Sequence, residues 1–166
     1  HDFLAFRAAR HLWEEPCISG TNGSGTVFFS GCTLGCVFCQ NRKISREGFG
    51  MEVSPERLAE ILTQLEQSGV HNLNLVTPTH FTPQILQALS LAKPGIPVVM
   101  NCGGYERVET LRLWEGSVDI YLPDLKYFSP ALSQKYSGAA DYFEAASRAI
   151  LEMHRQNQLM FLCFQR

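Results

Sequence analysis

The chain has 166 residues, 45% hydrophobic and 18% charged, with 16 acidic against 14 basic side chains and a net charge of −2. That is enough apolar material for one globular core, which excludes a disordered or collagen-like chain. No basic excess supports nucleic-acid binding through phosphates. No apolar run reaches the ~18 residues of a membrane span, and no signal-peptide pattern opens the N-terminus.

Asp2 to Trp13 sets Phe3, Phe6, Ala9 and Trp13 at helical spacing, and Pro16 follows as a stop. Asn22-Gly23 is a hairpin-type turn signal, and Thr26 to Ser30 reads as a short buried strand. That strand runs into a loop, Gly31 to Asn41. Ser54 and Pro55 open a helix with Leu58, Ile61, Leu62 and Leu65 on one face, closed at Ser68-Gly69. Strand and helix then alternate: Leu73 to Thr77, then Thr82 to Lys93 ended by Pro94-Gly95, Ile96 to Met100, and Glu106 to Trp114. Val118 to Leu122 is the next strand. Two helical segments, Pro130 to Tyr136 and Ala139 to Arg155, precede one more strand at Leu159 to Phe164. Such alternation predicts βαβ units in a parallel sheet, a partial (β/α) barrel of about four units plus a fifth strand. Right-handed crossovers gather the strand C-termini on one face. There the polar clusters fall: Cys32 to Asn41, Thr77 to His80, Asn101 to Gly104 and Asp124 to Lys126.

The six cysteines are Cys17, Cys32, Cys36, Cys39, Cys102 and Cys163. Three of them crowd into eight residues of a chain with an ordinary core, which is not a secreted disulfide framework. Metal or redox chemistry in a reducing compartment, the cytoplasm, is the better reading. Cys32-x-x-x-Cys36-x-x-Cys39 can hold three irons of a [4Fe-4S] cluster and leave the fourth open, as a catalytic centre needs. Zinc would want a fourth ligand, and Cys17 does not stand at a usual zinc spacing. Cys102 and Cys163 read as small buried hydrophobes, while Cys17 stays open between a place near the cluster and simple burial, with burial the favoured reading.

The run Gly31-Cys32-Thr33-Leu34-Gly35-Cys36-Val37-Phe38-Cys39-Gln40-Asn41 resembles the signature of radical S-adenosylmethionine enzymes. Within them it is most similar to the branch related to the pyruvate formate-lyase activating enzymes. Trp13 to Gly20 and Val76 to Phe81 resemble a subgroup of that branch, and the resemblance extends over about residues 1 to 157. It implies a partial (β/α)6 barrel, a [4Fe-4S] cluster on Cys32, Cys36 and Cys39, and S-adenosylmethionine chelated to the open iron. The implied reaction is reductive cleavage to a 5′-deoxyadenosyl radical, in activating enzymes to make a glycyl radical on a partner protein. An electron donor such as a flavodoxin or ferredoxin is implied as well.

Carried over residue by residue, the resemblance implies that Phe38 contacts the adenine, with the backbone around Gln40 beside it. By the same resemblance, Asn101 and Cys102 match the family's third strand end, and Asp124 and Lys126 stand near the methionine carboxylate. Asp124 is also where a monovalent cation can be held. Thr79 and His80 occupy the place of the family's Gly-Gly-Glu run, which meets the amino group, and they depart from it. No catalytic residue beyond the cluster is expected. The whole chain, 1 to 166, reads as one such domain with an N-terminal extension (1 to 25), a barrel part (26 to 157) and an atypical tail (158 to 166). Six units would need roughly 190 residues, so the expectation is a C-terminally truncated barrel. A non-catalytic iron–sulfur or zinc module, or an inactive fragment of the enzyme, remain the alternatives.

Overall fold

Alternation along the central strands decides which face each residue serves. The computed structural model describes residues 3–12 and 16–157, with residues 3–7 described by backbone alone. The strands are β1 (Phe3–His11), β2 (Ser24–Phe29), β3 (Met51–Val53), β4 (Asn72–Val76), β5 (Val98–Cys102) and β6 (Ile120–Pro123). The helices are α1 (Pro16–Ser19), α2 (Arg42–Ser45), α3 (Pro55–Gln67), α4 (Thr82–Ala92), α5 (Val108–Arg112), α6 (Pro130–Ser137) and α7 (Tyr142–Gln156). A 3-10 turn, Thr79–Phe81, leads into α4.

One six-stranded sheet runs β3-β1-β2-β4-β5-β6. β2, β4, β5 and β6 are parallel, with Val27 opposite Leu75, Leu75 opposite Met100, and Met100 opposite Tyr121. Those four residues belong to the main core, where Leu58, Leu62, Ile85, Leu111, Trp114 and Met153 cover them from the helices. The other face is polar at Ser24, Thr26, Asn72 and Asn74 and apolar at Val99 and Leu122, against which Ile18 packs. The expected α/β fold with four parallel βα units is what the chain adopts. Among the described residues no helix is long and apolar enough to cross a membrane.

Local chemistry sets the helix ends. The Ser54 hydroxyl accepts from Arg57 N–H at 3.2 Å with Pro55 at the first helical position, a cap of the expected kind. α4 stops where Lys93 turns left-handed (φ +47) before Pro94-Gly95.

Three expectations are corrected. Asp2 to Trp13 is not a helix: residues 3 to 11 form β1, antiparallel to β2 and, on its other edge, to β3. Helical spacing is a local preference, and pairing along two strand edges satisfies the backbone groups of β1, β2 and β3 together. Asn22-Gly23 ends a longer connection that includes α1, and it is no two-residue hairpin turn. Pro16 opens α1 instead of only stopping what precedes it. Trp13 and the segment Leu159 to Phe164, with Cys163, lie outside the described residues.

Candidate cofactor site at the strand C-termini

β2 ends at Phe29, and Ser30-Gly31 lead the chain into the cysteine loop. Gly31 has φ +92, the left-handed region glycine enters freely, and a Cβ there would stand 3.2 Å from His80 Nε2. That nitrogen is 2.6 Å from the Ser30 carbonyl, which can only accept, so Nε2 carries the hydrogen. Farther along, the loop is held from a distant segment. Gly35 N–H donates to Ser137 O at 3.0 Å and Val37 N–H to Tyr136 O at 2.9 Å. The Ser137 hydroxyl donates to Cys36 Sγ at 2.9 Å. Leu34 N–H reaches Cys32 Sγ at 3.4 Å, and the Ser45 hydroxyl lies 3.3 Å from Cys39 Sγ. Each loop sulfur therefore has a polar neighbour of the sort that tunes an iron–sulfur centre. Burial raises the Cys32 thiol above its ordinary value, and the Leu34 N–H opposes that.

The three thiols line one cleft of about 550 Å³. Its other walls are Val76 and Thr77 after β4, Asn101 to Gly103 at β5, and Asp124 and Lys126 after β6, with Phe38 and Gln40 from the loop itself. That volume lies within the ~300–1,000 Å³ of small-molecule sites. Phe38 is 49% exposed, so it is not a core aromatic; its ring stands 6.3 Å from Tyr127. Lys126 and Asp124 form an ion pair only 12% and 18% exposed, unlike a solvated surface pair. The Tyr142 hydroxyl knits two strand ends together. It accepts from Lys126 N–H at 2.9 Å and faces the Gly103 and Asp124 carbonyls at 2.8 and 3.0 Å. Gly104, at φ +76, is where the two strand ends meet, since a Cβ there would collide with the Asp124 carbonyl oxygen. Thr77 holds φ +56, a strained conformation for a β-branched residue.

Among the described residues no group of three His, Cys, Asp or Glu forms a site for a single metal ion. Cys32, Cys36 and Cys39 all line the one cleft. Cys102 lies in the cleft wall as the small buried residue expected, its thiol pushed well up by burial.

Residues 26–159 match the family model of the Radical SAM superfamily. The chain belongs to that superfamily. It is 34% identical over 147 residues to an uncharacterized protein of Methanocaldococcus jannaschii, a match covering 83% of this chain and 42% of that protein. The crystal structure of methylornithine synthase (PylB) superposes with a TM-score of 0.59 at 15% identity, covering 82% of this chain and 43% of that one. The latter likeness is one of fold. The chain spans less than half the length of either protein.

Of the residues that the sequence assigns to this radical SAM site, Phe38, Gln40, Asn101, Asp124 and Lys126 share the cleft with Cys32, Cys36 and Cys39. Thr79 and His80 do not line it. They border a second cavity, of about 760 Å³, together with Thr33, Tyr105, Glu106 and residues of α5 and α7. There the Thr79 hydroxyl donates to Glu106 Oε2 at 2.5 Å. Thr79 is itself anchored from the core: its carbonyl accepts from the Thr82 hydroxyl at 2.6 Å, which accepts from the Trp114 indole at 2.9 Å. Glu106 is 7% exposed, and burial pushes its carboxyl up to about 7 despite the Thr79 bond.

Glu106 escaped the sequence reading because it seemed to begin a helix, whereas α5 starts at Val108 and leaves Glu106 in the loop. The available signal was an acid just beyond Gly103-Gly104 at a strand end. Ser137 and Tyr142 were also missed, and no local pattern marks them. Cys17 is corrected: it is exposed, because α1 turns Ile18 and Ser19 inward. Asn72, the first residue of β4, bonds the Ile18 carbonyl at 2.8 Å, which places α1 at the opposite end of the sheet from the cysteine loop.

Proposed function

We propose that this radical SAM domain holds a [4Fe-4S] cluster on Cys32, Cys36 and Cys39 and serves reductive cleavage of S-adenosylmethionine. The observation that carries this reading is the gathering of three loop thiols and the polar ends of three further strands around one cleft. When bound, the cluster supplies the electron that splits the sulfonium into methionine and a 5′-deoxyadenosyl radical. Half-exposed Phe38 offers a face for the adenine, beside Gln40. Lys126, fixed by Asp124 and by the Tyr142 hydroxyl on its backbone, presents an ammonium suited to the methionine carboxylate, with Asn101 across the cleft. Leu34 and Cys102 supply a low-polarity wall that keeps water from the reacting end. A monovalent cation at Asp124 would have to share that carboxylate with Lys126.

The finer reading is activation of a glycyl radical enzyme in the cytoplasm, with electrons from a flavodoxin or ferredoxin. It is supported by the resemblance of Gly31 to Asn41 to the activating-enzyme branch. Anaerobic reconstitution should load iron and sulfide, and reduction with S-adenosylmethionine should then release 5′-deoxyadenosine. Cys36→Ala should abolish both. Zinc without sulfide would overturn the cluster, and a loaded cluster without cleavage would overturn the activity.

A further inference from the structure

The second cavity contains a buried carboxylate that the cofactor reading does not use. We propose that this cavity is a binding site for the ammonium group of a primary alkylamine, with Glu106 as its counter-ion. Among the cavity's ionisable side chains Glu106 alone is buried; His80, Arg107, Glu109, Asp141 and Arg148 are exposed. Its Oε2 accepts from Thr79, while Oε1 has no donor among the described residues. A carboxylate this buried, with Thr79 as its one side-chain donor, is costly to ionise, so its second oxygen favours a ligand that brings positive charge and N–H groups.

Geometry narrows the class. A guanidinium prefers both oxygens of a carboxylate, and Thr79 already occupies one, whereas an ammonium is a point charge content with a single oxygen. Val108 and Ala145 line the cavity with small apolar surface suited to an alkyl stem. At the mouth two acids and two bases balance. Asp141 is engaged by the Tyr105 hydroxyl at 2.7 Å and Arg148 by Glu144 at 3.6 Å, which leaves Glu106 as the interior acid that a cation can reach and hold ionised. Thr33 follows Cys32, which puts the amine behind the cysteine loop and outside the cofactor cleft.

The test is an NMR titration of the reconstituted, isotope-labelled chain with n-butylammonium chloride, following the amides of Val108, Thr110 and Ala145. Saturable shifts are expected, with n-butanol at least tenfold weaker. Glu106→Gln should weaken butylammonium at least tenfold. Ala145→Phe, which fills the cavity and leaves the carboxylate intact, should do the same and covers the case in which Glu106→Gln does not fold. Nα-acetyl-lysine amide as second titrant distinguishes the source: affinity equal to butylammonium assigns a lysine side chain, weaker affinity a free amine. Absence of saturation, equal binding of butanol, or wild-type affinity in Glu106→Gln would overturn the site. Because the titration involves no cleavage, failure here and failure of the cofactor reading are separate results.

Discussion

The cofactor cleft draws its polar groups from strand ends on the sheet's interior side, tied across by Tyr142, whereas the second cavity lies toward α5 and α7 around one buried acid. The same loops feed both. Cys32 borders one and Thr33 the other; Thr77 one and Thr79 the other; Gly103 one and Tyr105 the other. A strand that leaves a sheet in a tight turn offers neighbouring residues to opposite sides. Two chemistries can therefore share a frame while differing in polarity: several thiols and an ion pair on one side, a single buried carboxyl on the other.

Gly104 belongs to the shared frame, and Gly104→Ala should damage both sides. Its left-handed backbone and contact with the Asp124 carbonyl predict a loss of about 3 kcal/mol in urea unfolding. Survival of both S-adenosylmethionine and amine binding in that variant would break the comparison.

The next effect isolates the acid. The Glu106 carboxyl titrates near 7, above the ordinary 4.5, so its protonated form is favoured by folding. Its contribution to stability is full below about 4.5 and is lost as pH rises through about 7, by as much as ~3 kcal/mol. Unfolding free energies at pH 5 and pH 8 should differ in this direction, and Glu106→Gln should flatten the difference. Tyr142→Phe is the smallest change: it keeps the ring stacked on Tyr105 and removes only the hydroxyl that ties the strand ends behind the cleft. Removing a hydroxyl with three backbone neighbours should cost about 2 kcal/mol and lower 5′-deoxyadenosine yield, with butylammonium binding unchanged.

What could be read from the chain follows the range of the forces. β2, α3, β4 and α4 were legible because alternation, Ser54-Pro55 and Pro94-Gly95 act within a few residues. The three loop cysteines were legible because their spacing is itself the chemistry. β1 was misread because strand pairing, a tertiary event, overrode a helical pattern in Phe3, Phe6 and Ala9. Ser137 and Tyr142 were invisible because each acts on residues far along the chain. Thr79 was placed at the right loop and on the wrong side of it, a distinction made by which way one turn directs a hydroxyl.

The bonds from α6 to the cysteine loop also carry a consequence for biogenesis. Cys36 and Ser137 are 101 residues apart, and joining such distant points costs roughly 4 kcal/mol of chain entropy. The thiols are synthesised first, yet Gly35, Cys36 and Val37 wait for Tyr136 and Ser137 before their partners exist. At ~5–20 residues per second that delay is on the order of ten seconds. During it the three sulfurs lack the contacts that the finished loop gives them from Tyr136 and Ser137, and they stand open to oxidation.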